Sequence, residues 1–407
     1  MPGPLSHIRV LDLSRILAGP TSTQILCDLG AEVIKIERPG AGDDTRQWGP
    51  PYLKDEEGND TSEAAYYLSA NRGKRSVTVD ISKPEGQKII RDLAAKSDVV
   101  VENYKVGGLA KYKLTYEDLK DENPGLIYCS ITGFGQDGPY APRAGYDYMI
   151  QAMGGMMSIT GEEDGRPGGG PMRVGVAMAD LSTGLYSTIA IVAAIAHRER
   201  TGEGQYIDMA LLDCATAMLA NQGMSYLTTG NAPQRVGNRH PNVVPYQPFE
   251  TSDGYVVIAV GNDGQFRKLC GVLDLDHLAD DPKYATNSAR IQCQPELAEI
   301  LKAPIKLRST ADWLATLEEV NVPCGPINDL EDVFNDPQFK HRGMVVEQEH
   351  PLAGTMSLLA SPINLSATPV EYQGAPPTLS QHTDDVLSRV LELDAGEIKK
   401  LREGGVL

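Results

Sequence analysis

The stretch HIRVLDLSRILAGPTSTQILCDLGAEVIKIER, residues 7–38, decides the fold of the chain. Its first part, His7–Leu13, is a short apolar run that predicts a buried strand. Thr21–Leu29 follows with the pattern of a helix, and Glu32–Glu37 (EVIKIE) reads as a second strand. A strand, a helix and a strand in succession form a βαβ unit, so this stretch predicts two parallel strands of one sheet.

The same alternation continues along the first part of the chain. The elements that we predict there are the strand Lys74–Ile81, the helix Pro84–Lys96, the strand Asp98–Glu102, the helix Tyr116–Glu122 and the strand Leu126–Ile131. Strands separated by helices predict an α/β domain with a doubly wound, Rossmann-like sheet. Pro39–Ala65 interrupts this pattern, because it is rich in Gly, Pro and acidic residues and has no periodicity. It therefore predicts a long surface loop.

Later segments predict a second, smaller domain. YQPFETSDGYVVIAVGN, residues 246–262, has the alternation of a hairpin, and short helical segments follow it. Met172–Ala196, after a glycine-rich run, reads as a buried strand and a helix, and Thr383–Leu391 as the last helix. We therefore predict a large domain over residues 1–200, a linker helix over 201–227, a small α+β domain over 228–327, and a second linker with a C-terminal return to the large domain over 328–407.

Composition excludes several classes of partner. Lys and Arg number 37 against 55 Asp and Glu, a formal charge of −18 that disfavours nucleic acid. The longest apolar run, Leu185–Ala196, is too short to cross a bilayer, so no membrane segment is expected. The six cysteines are scattered without metal-ligand spacing, so reduced thiols and no metal site are expected. The start of the chain lacks an export signal, which predicts a cytoplasmic protein, or a mitochondrial matrix protein if a presequence is removed.

The opening βαβ unit invites comparison with dinucleotide-binding sheets, in which an acidic residue at the end of the second strand binds ribose. Glu37 occupies that position, but the turn Ser14–Pro20 lacks the GxGxxG spacing that lets the backbone approach a pyrophosphate. NAD is therefore not expected. Arg15 and Arg38 directly follow the two strands, at the edge where such sheets bind ligands, and two guanidinium groups there suit phosphates. Solvated surface arginines are the alternative interpretation.

Asp180 stands in an otherwise apolar segment, GVAMADLSTGLY, residues 175–186. A carboxylate in such a segment is costly to bury unless backbone N–H groups or a cation stabilise it. We therefore expect Asp180 at the N-terminus of a helix, where the helix dipole and free amides favour an anion. A plain N-cap aspartate would explain the same pattern, so the local sequence leaves a capping role and a chemical role both open.

A set of segments in fixed order spans nearly the whole chain. They are VLDLSRILAGP (10–20), LGAEVIKIERPGAGDDTR (29–46), NRGKRSVTVD (71–80), VVVENY (99–104), ITGFGQDGP (131–139), AGYD (144–147), MADLSTGLY (178–186), VPCGPIND (322–329) and PPTLSQHTDDVL (376–387). Each is weak by itself, but together they resemble the class III CoA-transferases, the CaiB/BaiF and formyl-CoA transferase family.

The resemblance implies a covalent reaction at Asp180. Its carboxylate would attack an acyl-CoA thioester to give a mixed anhydride and CoA thiolate, and the thiolate would take the aspartyl group, releasing the donor acid and forming an aspartyl-CoA thioester. The acceptor carboxylate would attack this thioester, and the CoA thiolate would resolve the second anhydride into the product CoA ester. Backbone amides near Asp180 would stabilise the developing oxyanions. The cofactor is then coenzyme A as an acyl-CoA substrate. Residues carried over by motif to its binding are Arg38 and Arg75 at the CoA phosphates, Arg15, Ile16 and Leu17 at the pantetheine end, and Asn103 and Tyr104 at a further strand end.

The resemblance also implies a homodimer in which the two subunits thread through each other like linked rings, an exception to the usual rule against threaded chains. Some family members have His where Arg15 stands, so the role of Arg15 stays open. Its charge could bind the carboxylate of the acceptor acid. The partners expected are thus acyl-CoA, a carboxylic acid and a second copy of the chain.

Two positions bear on the reaction and the acid. In racemases of the same superfamily a His precedes the Asp of the AGYD-like motif and helps to move an α-proton, whereas this chain has Tyr146, and a phenol is a poor base near neutral pH. Gly237–Gln247 lacks the glycine-rich flap of formyl-CoA:oxalate-type transferases and is more similar to transferases of dicarboxylates such as succinate and glutarate. His240 in this stretch could bind the acceptor or hold a loop. We expect CoA transfer from succinyl-CoA to glutarate or a related acid, with racemisation and formyl-CoA:oxalate-type transfer as alternatives.

Overall fold

The computed structural model describes residues 2–407. The strands in chain order are β1 (Arg9–Asp12), β2 (Glu32–Glu37), β3 (Tyr52–Lys54), β4 (Asp60–Ala64), β5 (Arg75–Thr78), β6 (Val99–Glu102), β7 (Ile127–Thr132), β8 (Gln205–Ala210), β9 (Tyr246–Glu250), β10 (Tyr255–Ala259), β11 (Cys324–Pro326), β12 (Val345–His350) and β13 (Gly354–Leu359).

The helices in chain order are α1 (Ala18–Asp28), α2 (Ala65–Leu68), α3 (Pro84–Ala95), α4 (Tyr116–Leu119), α5 (Asp147–Met153), α6 (Met156–Ile159), α7 (Met178–Thr201), α8 (Leu211–Ala217), α9 (Ala220–Thr229), α10 (Asp263–Val272), α11 (Asp276–Asp280), α12 (Asn287–Gln292), α13 (Gln294–Ile305), α14 (Thr310–Glu319), α15 (Leu330–Asn335), α16 (Pro337–His341), α17 (Thr383–Leu391) and α18 (Ala395–Glu403). Short 3₁₀ turns lie at Asp44–Gln47 and Ala110–Tyr112.

A parallel sheet organises the larger part of the chain. Its strands lie in the order β5-β2-β1-β6-β7-β8, and every neighbouring pair is parallel. Counted along the chain within this sheet, the order is third, second, first, fourth, fifth, sixth, which is that of doubly wound α/β sheets. The direction of winding reverses between β1 and β6. Ligands of such sheets bind beyond the carboxyl ends of the strands at this reversal, so a binding site is expected at the loops after β1 and β6.

Helices cover both faces of this sheet because consecutive residues of a strand point to opposite sides. In β6, Val99 and Val101 pack in a core cluster with residues of α1 and α7, whereas Val100 packs in a second cluster with residues of α3, α17 and α18. The sequence-based prediction of a mixed α/β fold with a parallel sheet is therefore confirmed. The predicted strands and helices between residues 7 and 132 are all present, with ends that differ by a few residues.

The prediction of a linker helix over residues 201–227 is wrong. Gln205–Ala210 is β8, which pairs with β7 at the edge of the parallel sheet, and α8 and α9 follow it. An edge strand has a neighbour on one side only, and Gln205, Tyr206 and Asp208 are correspondingly exposed. This strand therefore lacks the apolar run by which the buried strands are detected.

Three further expectations differ from the structure. Pro39–Ala65 contains the hairpin β3–β4 and a 3₁₀ turn, because buried Asp43, Arg46 and Glu63 tie this segment to the sheet through ion pairs rather than through apolar periodicity. The residues before α7 form no strand, since α7 itself starts at Met178. Thr383–Leu391 is not the last helix, because α18 follows with a capping box at its start.

The chain forms two compact units. The first contains the residues up to Met156, Val174–Thr228 and His341–Leu407, and the second contains Met157–Arg173 and Thr229–Lys340. The C-terminal segment His341–Leu407 belongs to the first unit, whereas the second unit extends beyond residue 327 and includes a segment from before α7. Its centre is the antiparallel sheet β11-β10-β9, packed on helices through Phe249, Phe266 and Trp313, so the predicted hairpin is present.

Helix α7 is long and apolar enough to span a membrane by length and composition, which the shorter run 185–196 did not suggest. Half of its most apolar window is buried within the fold, and it packs against α1, α8 and the sheet. Core helices of water-soluble proteins have the same properties.

Candidate active site

The loop after β1 is held by buried charges. The carboxylate of Asp12 accepts hydrogen bonds from the backbone N–H of Ser14 (2.9 Å), from the hydroxyl of Thr23 (2.6 Å) and from the ammonium of Lys74 (3.1 Å). Burial alone would raise the pKa of Asp12, but Lys74, Lys35 and the hydroxyl groups outweigh it and lower the pKa. An ionised Asp12 therefore fixes the turn from which Arg15 and Ile16 project.

This loop is joined to the loop after β6. Asn103 accepts a hydrogen bond from the backbone N–H of Arg15 (2.9 Å) and donates one to the carbonyl of Arg15 (2.7 Å). The Arg15 guanidinium pairs with Asp44 (2.7 Å) and lies 5.6 Å from the ring centroid of Tyr104. The carboxyl ends of β1 and β6, on either side of the winding reversal, thus form one rigid edge.

Ile16 has a strained backbone at this edge. Its φ is +71°, a region that β-branched residues rarely adopt. Both carboxylate oxygens of Asp43 accept from the Ile16 N–H at 3.2 Å, and the Lys35 ammonium holds Asp43 at 2.9 Å. These contacts compensate a conformation that costs of order 1–3 kcal/mol. Strain of this kind, maintained by a buried ion pair, is typical of a functional loop.

Glu37 is fully committed to the fold. Arg46 binds both of its oxygens at 2.8 Å, and Ser76 (2.7 Å) and the backbone N–H of Asp43 (2.9 Å) also donate to it. A carboxylate with these partners has no free acceptor for ribose hydroxyl groups. Glu37 is therefore not available for the ribose contact that an acidic residue makes at this position of dinucleotide-binding sheets.

Asp180 lies in the first turn of α7, as expected, but it is not the cap of that helix. The N-cap residue is Ala177, and the carboxylate of Asp147 accepts from the backbone N–H groups of Ala179 (2.7 Å) and Asp180 (3.3 Å). Gln151 holds the other oxygen of Asp147 at 2.8 Å. The capping interpretation of Asp180 is therefore wrong, because Asp147 performs that role.

The Asp180 carboxylate itself accepts no hydrogen bond from any residue between 2 and 407. Burial raises its pKa from the ordinary value of 3.8 to about 7, and the negative charge of Asp147 adds to the rise. The backbone N–H groups of Ala179 and Asp180 already donate to Asp147, so the use of amides near Asp180 for a developing oxyanion stays a prediction that this placement does not favour. Asp180 is thus a desolvated carboxyl group that no neighbour binds.

Asp180 lies at the wall of a cavity of about 640 Å³. The loops after β1 and β6 form one side of this cavity, and the segment 141–146 forms another. Gly133 and Gly145 bring that segment against the end of β7, since a Cβ at Gly145 would lie 2.4 Å from the Cα of Gly133. The cavity residues that carry charge are Arg15, Lys105, Lys111, Arg143 and Asp180. One uncommitted carboxyl group therefore faces a cleft rich in cations.

The family model of CoA-transferase family III matches residues 5–383. The chain belongs to this family. Over 95% of its length it is 51% identical to a succinate–glutarate CoA-transferase of Agrobacterium fabrum, of which it covers 96%. Over 99% of its length it is 48% identical to a succinyl-CoA:glutarate CoA-transferase of Mus musculus, of which it covers 90%. Among solved structures, a CaiB/BaiF family protein from Brucella suis has a TM-score of 0.85 at 51% identity, over 96% of this chain and 100% of that one.

In this family III CoA-transferase most of the predicted site residues meet at one edge of the sheet. Arg15, Ile16, Leu17, Asn103, Tyr104 and Tyr146 line the same cavity as Asp180. Tyr146 is 62% exposed and precedes α5, whose first residue is Asp147. Arg38 lines an adjoining cavity of about 670 Å³, which shares Arg15, Tyr104 and Tyr112 with the first. The two cavities thus form a groove from Asp180 to Arg38.

Arg75 is not part of this groove. It is the first residue of β5, and its partner across the parallel pairing is Ile34, whereas Glu37 at the carboxyl end of β2 pairs with Thr78. Arg75 therefore lies toward the opposite end of the strands from Arg38. It lines a separate cavity, where its guanidinium lies 3.6 Å from Glu32 and 3.7 Å from Asp385. Its role at the CoA phosphates stays a prediction that this placement does not favour.

His240 lies in the second unit. Its Nδ1 accepts from the backbone N–H of Asn242 (3.0 Å), its carbonyl accepts from Gln294 (3.1 Å), and its ring lies 5.2 Å from that of Tyr246. These contacts are those of a residue that holds a loop, the second of the two roles considered for it. Binding of the acceptor acid by His240 stays a prediction.

The sequence did not identify several residues of the site in this transferase. Asp147 and Tyr66 are two of them, and the charges of Asp180 and Asp147 act on Tyr66, whose pKa is raised first by burial and then by these carboxylates. Lys111 and Arg143 were missed because they lie in segments without regular periodicity. Lys and Arg residues that lie between glycines in the loops at this edge of the sheet are a sequence signal that could have indicated them.

Proposed function

We propose that this enzyme transfers CoA from succinyl-CoA to a short dicarboxylic acid, with glutarate as the best acceptor, through anhydride and thioester intermediates on Asp180. The observation that carries the proposal is the free Asp180 carboxylate at a cation-lined cavity. Relatives named as succinate and glutarate transferases, at 46% to 51% identity, support the choice of acids.

The environment of Asp180 suits a nucleophile. A carboxylate with a raised pKa is more basic than one in water, and no hydrogen bond has to be broken before it attacks a thioester carbonyl. Acylation or thioester formation also removes a negative charge that burial and Asp147 disfavour. The covalent intermediates are therefore stabilised relative to the ionised resting enzyme, which is the property that a two-step exchange requires.

The groove suits an extended acyl-CoA. Its far end offers Arg38 and its middle offers Lys111, which can neutralise phosphate groups, while Ile16, Leu17 and Tyr104 provide apolar walls nearer to Asp180. In this arrangement the nucleotide lies near Arg38 and the thioester near Asp180. Arg143, and Arg15 with the N–H groups that do not bind Asp44, remain for a carboxylate at the distal end of a dicarboxylic acyl group, which favours dicarboxylates over simple fatty acids.

The proposal is tested by incubating the enzyme with succinyl-CoA and a panel of mono- and dicarboxylic acids and following new CoA esters by mass spectrometry. Asp180→Asn should abolish turnover and the hydroxylamine-sensitive CoA adduct on the protein. Asp213→Asn, in the first turn of α8 and outside the cavity, is the matched control and should retain both. Failure of every acid to accept CoA would refute the transfer. Deuterium uptake at the α-carbon of a 2-methylacyl-CoA would point instead to the racemase alternative.

We also propose a homodimer with interlocked subunits. An apolar stripe on α7 supports it: Leu185, Ile189 and Val192, at helical spacing, are 49%, 63% and 38% exposed. A second copy of the chain would cover this stripe. Sedimentation velocity should show a dimer, and Ile189→Glu should weaken it, while Arg200→Glu beyond the stripe should not. A monomeric wild-type protein would contradict the proposal.

The cytosol, or the mitochondrial matrix, is the compartment that we propose for the enzyme. All six cysteines lie in the described part of the chain as free thiols, four of them buried. Free thiols persist in reducing compartments, which supports this assignment. Fractionation of cells with an antibody to the enzyme tests it, and recovery outside both compartments would overturn it.

A further inference from the structure

A second polar cavity lies away from the groove. It has a volume of about 350 Å³ and is formed by the amino end of β5, the turn after β12 and the loop that precedes α17. It shares no lining residue with the cavities that contain Asp180 and Arg38. Its lining residues with polar side chains are Lys74, Arg75, Glu349, His350, Gln373, Gln381 and His382, and the Lys74 ammonium is already bound to Asp12. The CoA-transfer reaction proposed above uses neither the two histidines nor the two glutamines of this cavity.

His350, one of the residues that line this cavity, has an unpaired donor. Its side chain is 3% exposed, and its Nδ1 accepts from the backbone N–H of Leu352 at 3.2 Å. Burial lowers the pKa of His350, and Arg46 lowers it further, so the ring is neutral at pH 7. A neutral ring that accepts at Nδ1 carries its proton on Nε2. That Nε2 is buried and has no hydrogen-bond partner, which is costly unless a ligand accepts from it.

Two further groups of the residues that line this cavity make no hydrogen bond. Nδ1 of His382 is also buried without a partner. The Arg75 guanidinium forms ion pairs with Glu32 at 3.6 Å and Asp385 at 3.7 Å, but within residues 2–407 it donates no hydrogen bond. Glu32 is held more closely by Arg9, at 2.7 Å. Two buried imidazole nitrogens without partners, and a guanidinium that forms ion pairs but no hydrogen bond, therefore belong to residues that line one cavity.

From this geometry we infer that the cavity is a binding site for a small oxyanion, a phosphate or a carboxylate group, distinct from the site of CoA transfer. The donors are His350 Nε2–H and the Arg75 guanidinium, and charge-assisted hydrogen bonds of this kind are the strong ones. The one carboxylate of the lining, Glu349, already accepts from the Thr355 hydroxyl at 2.6 Å. The bound oxyanion would be the ligand of Arg75, and it would not be a phosphate of the CoA substrate.

A metal ion fits these residues less well. The proton on His350 Nε2 blocks that nitrogen as a ligand, and no group of three or more His, Cys, Asp or Glu side chains within residues 2–407 could hold a metal. An oxyanion would also join three separate segments of the first unit, namely the start of β5, the β12–β13 turn and the loop before α17. Binding should therefore stabilise the folded protein by mass action.

The test compares the full-length wild type with two matched variants in isothermal titration with inorganic phosphate, succinate and glutarate. His350→Asn keeps an acceptor near the position of Nδ1 but removes the Nε2 donor, and should weaken binding by about tenfold or more. His350→Gln keeps a donor near the position of Nε2 and should bind nearly as well as the wild type. Histidine signals in ¹⁵N spectra of the wild type provide a readout that does not depend on a variant folding.

The outcomes separate the sources of the anion. Saturable binding of phosphate alone, or of the dicarboxylates alone, with shifts of the His350 and His382 signals supports the site and identifies its ligand. Equal loss of affinity in both His350 variants contradicts it, as does the absence of histidine shifts with all three anions. Full displacement of phosphate by free CoA would show that the cavity belongs to the substrate site and would overturn the inference. Transfer activity is measured separately, so its absence would not mimic any of these results.

Discussion

Replacing Asp180 by asparagine should stabilise the folded protein at neutral pH. The wild-type carboxyl group has a pKa of about 7 in the folded state, because burial and the Asp147 charge disfavour its ionised form, against 3.8 as the ordinary value. Asparagine has nearly the same shape and is never charged. It therefore removes the cost of keeping a carboxylate at this position while leaving the packing of α7 intact.

The magnitude follows from the two pKa values. Below about pH 4 the carboxyl group is protonated in both the folded and the unfolded state, so wild type and variant should have similar stability. Between about pH 4 and pH 7 only the unfolded state loses the proton, and the wild type loses about 1.4 kcal/mol of stability per pH unit relative to Asp180→Asn. Above about pH 7 both states are ionised, and the difference should level off near about 4 kcal/mol.

Urea unfolding of both proteins at fixed protein concentration, from pH 4 to pH 8.5, measures this difference. Asp213→Asn, at an exposed position in the first turn of α8, should change stability by less than about 0.5 kcal/mol. The reasoning would be refuted by a difference between wild type and Asp180→Asn that does not change with pH. It would also be refuted if the asparagine variant were the less stable protein above pH 7.

Three other outcomes are expected. Asp147→Asn keeps an oxygen that can cap α7 but removes a negative charge near Asp180. The pKa of Asp180 should therefore fall, although its burial is unchanged, and the acid limb of the pH profile of kcat/KM should move to lower pH. At Asp43, burial would raise the pKa, but Lys35 and the loop hydrogen bonds lower it to about 2. Asp43→Asn should therefore destabilise the protein by about 3–5 kcal/mol at pH 7, measured by urea unfolding. The difference in stability between wild type and variant should shrink as the pH falls from 3.8 toward 2. Arg38→Gln should raise KM for the acyl-CoA roughly tenfold or more in steady-state assays, with kcat little changed.

Local patterns in the sequence were sufficient for the βαβ start and for the position of Asp180. Strands such as β2 and β6 are buried on both faces, so they appear as apolar runs, and helices between them follow from periodicity. β8 was missed because an edge strand is half exposed and its composition is polar. The ion pairs that tie residues 43–63 to the sheet were missed for a related reason, since charged residues in a Gly- and Pro-rich segment indicate a loop until their partners are known.

What the sequence by itself determined is the family, the parallel sheet and the carboxyl group at the start of an apolar helix, because each of these is written in residues close together in the chain. The tertiary structure decided the state of that carboxyl group. It placed Asp147, distant in sequence, as the cap of α7, and so left Asp180 desolvated and without a partner. It also separated Arg75 from Arg38, since two arginines near strand ends in the sequence lie toward opposite ends of a parallel pair. Distances between segments that are far apart in the chain depend on how the sheet is wound, and no local pattern specifies them.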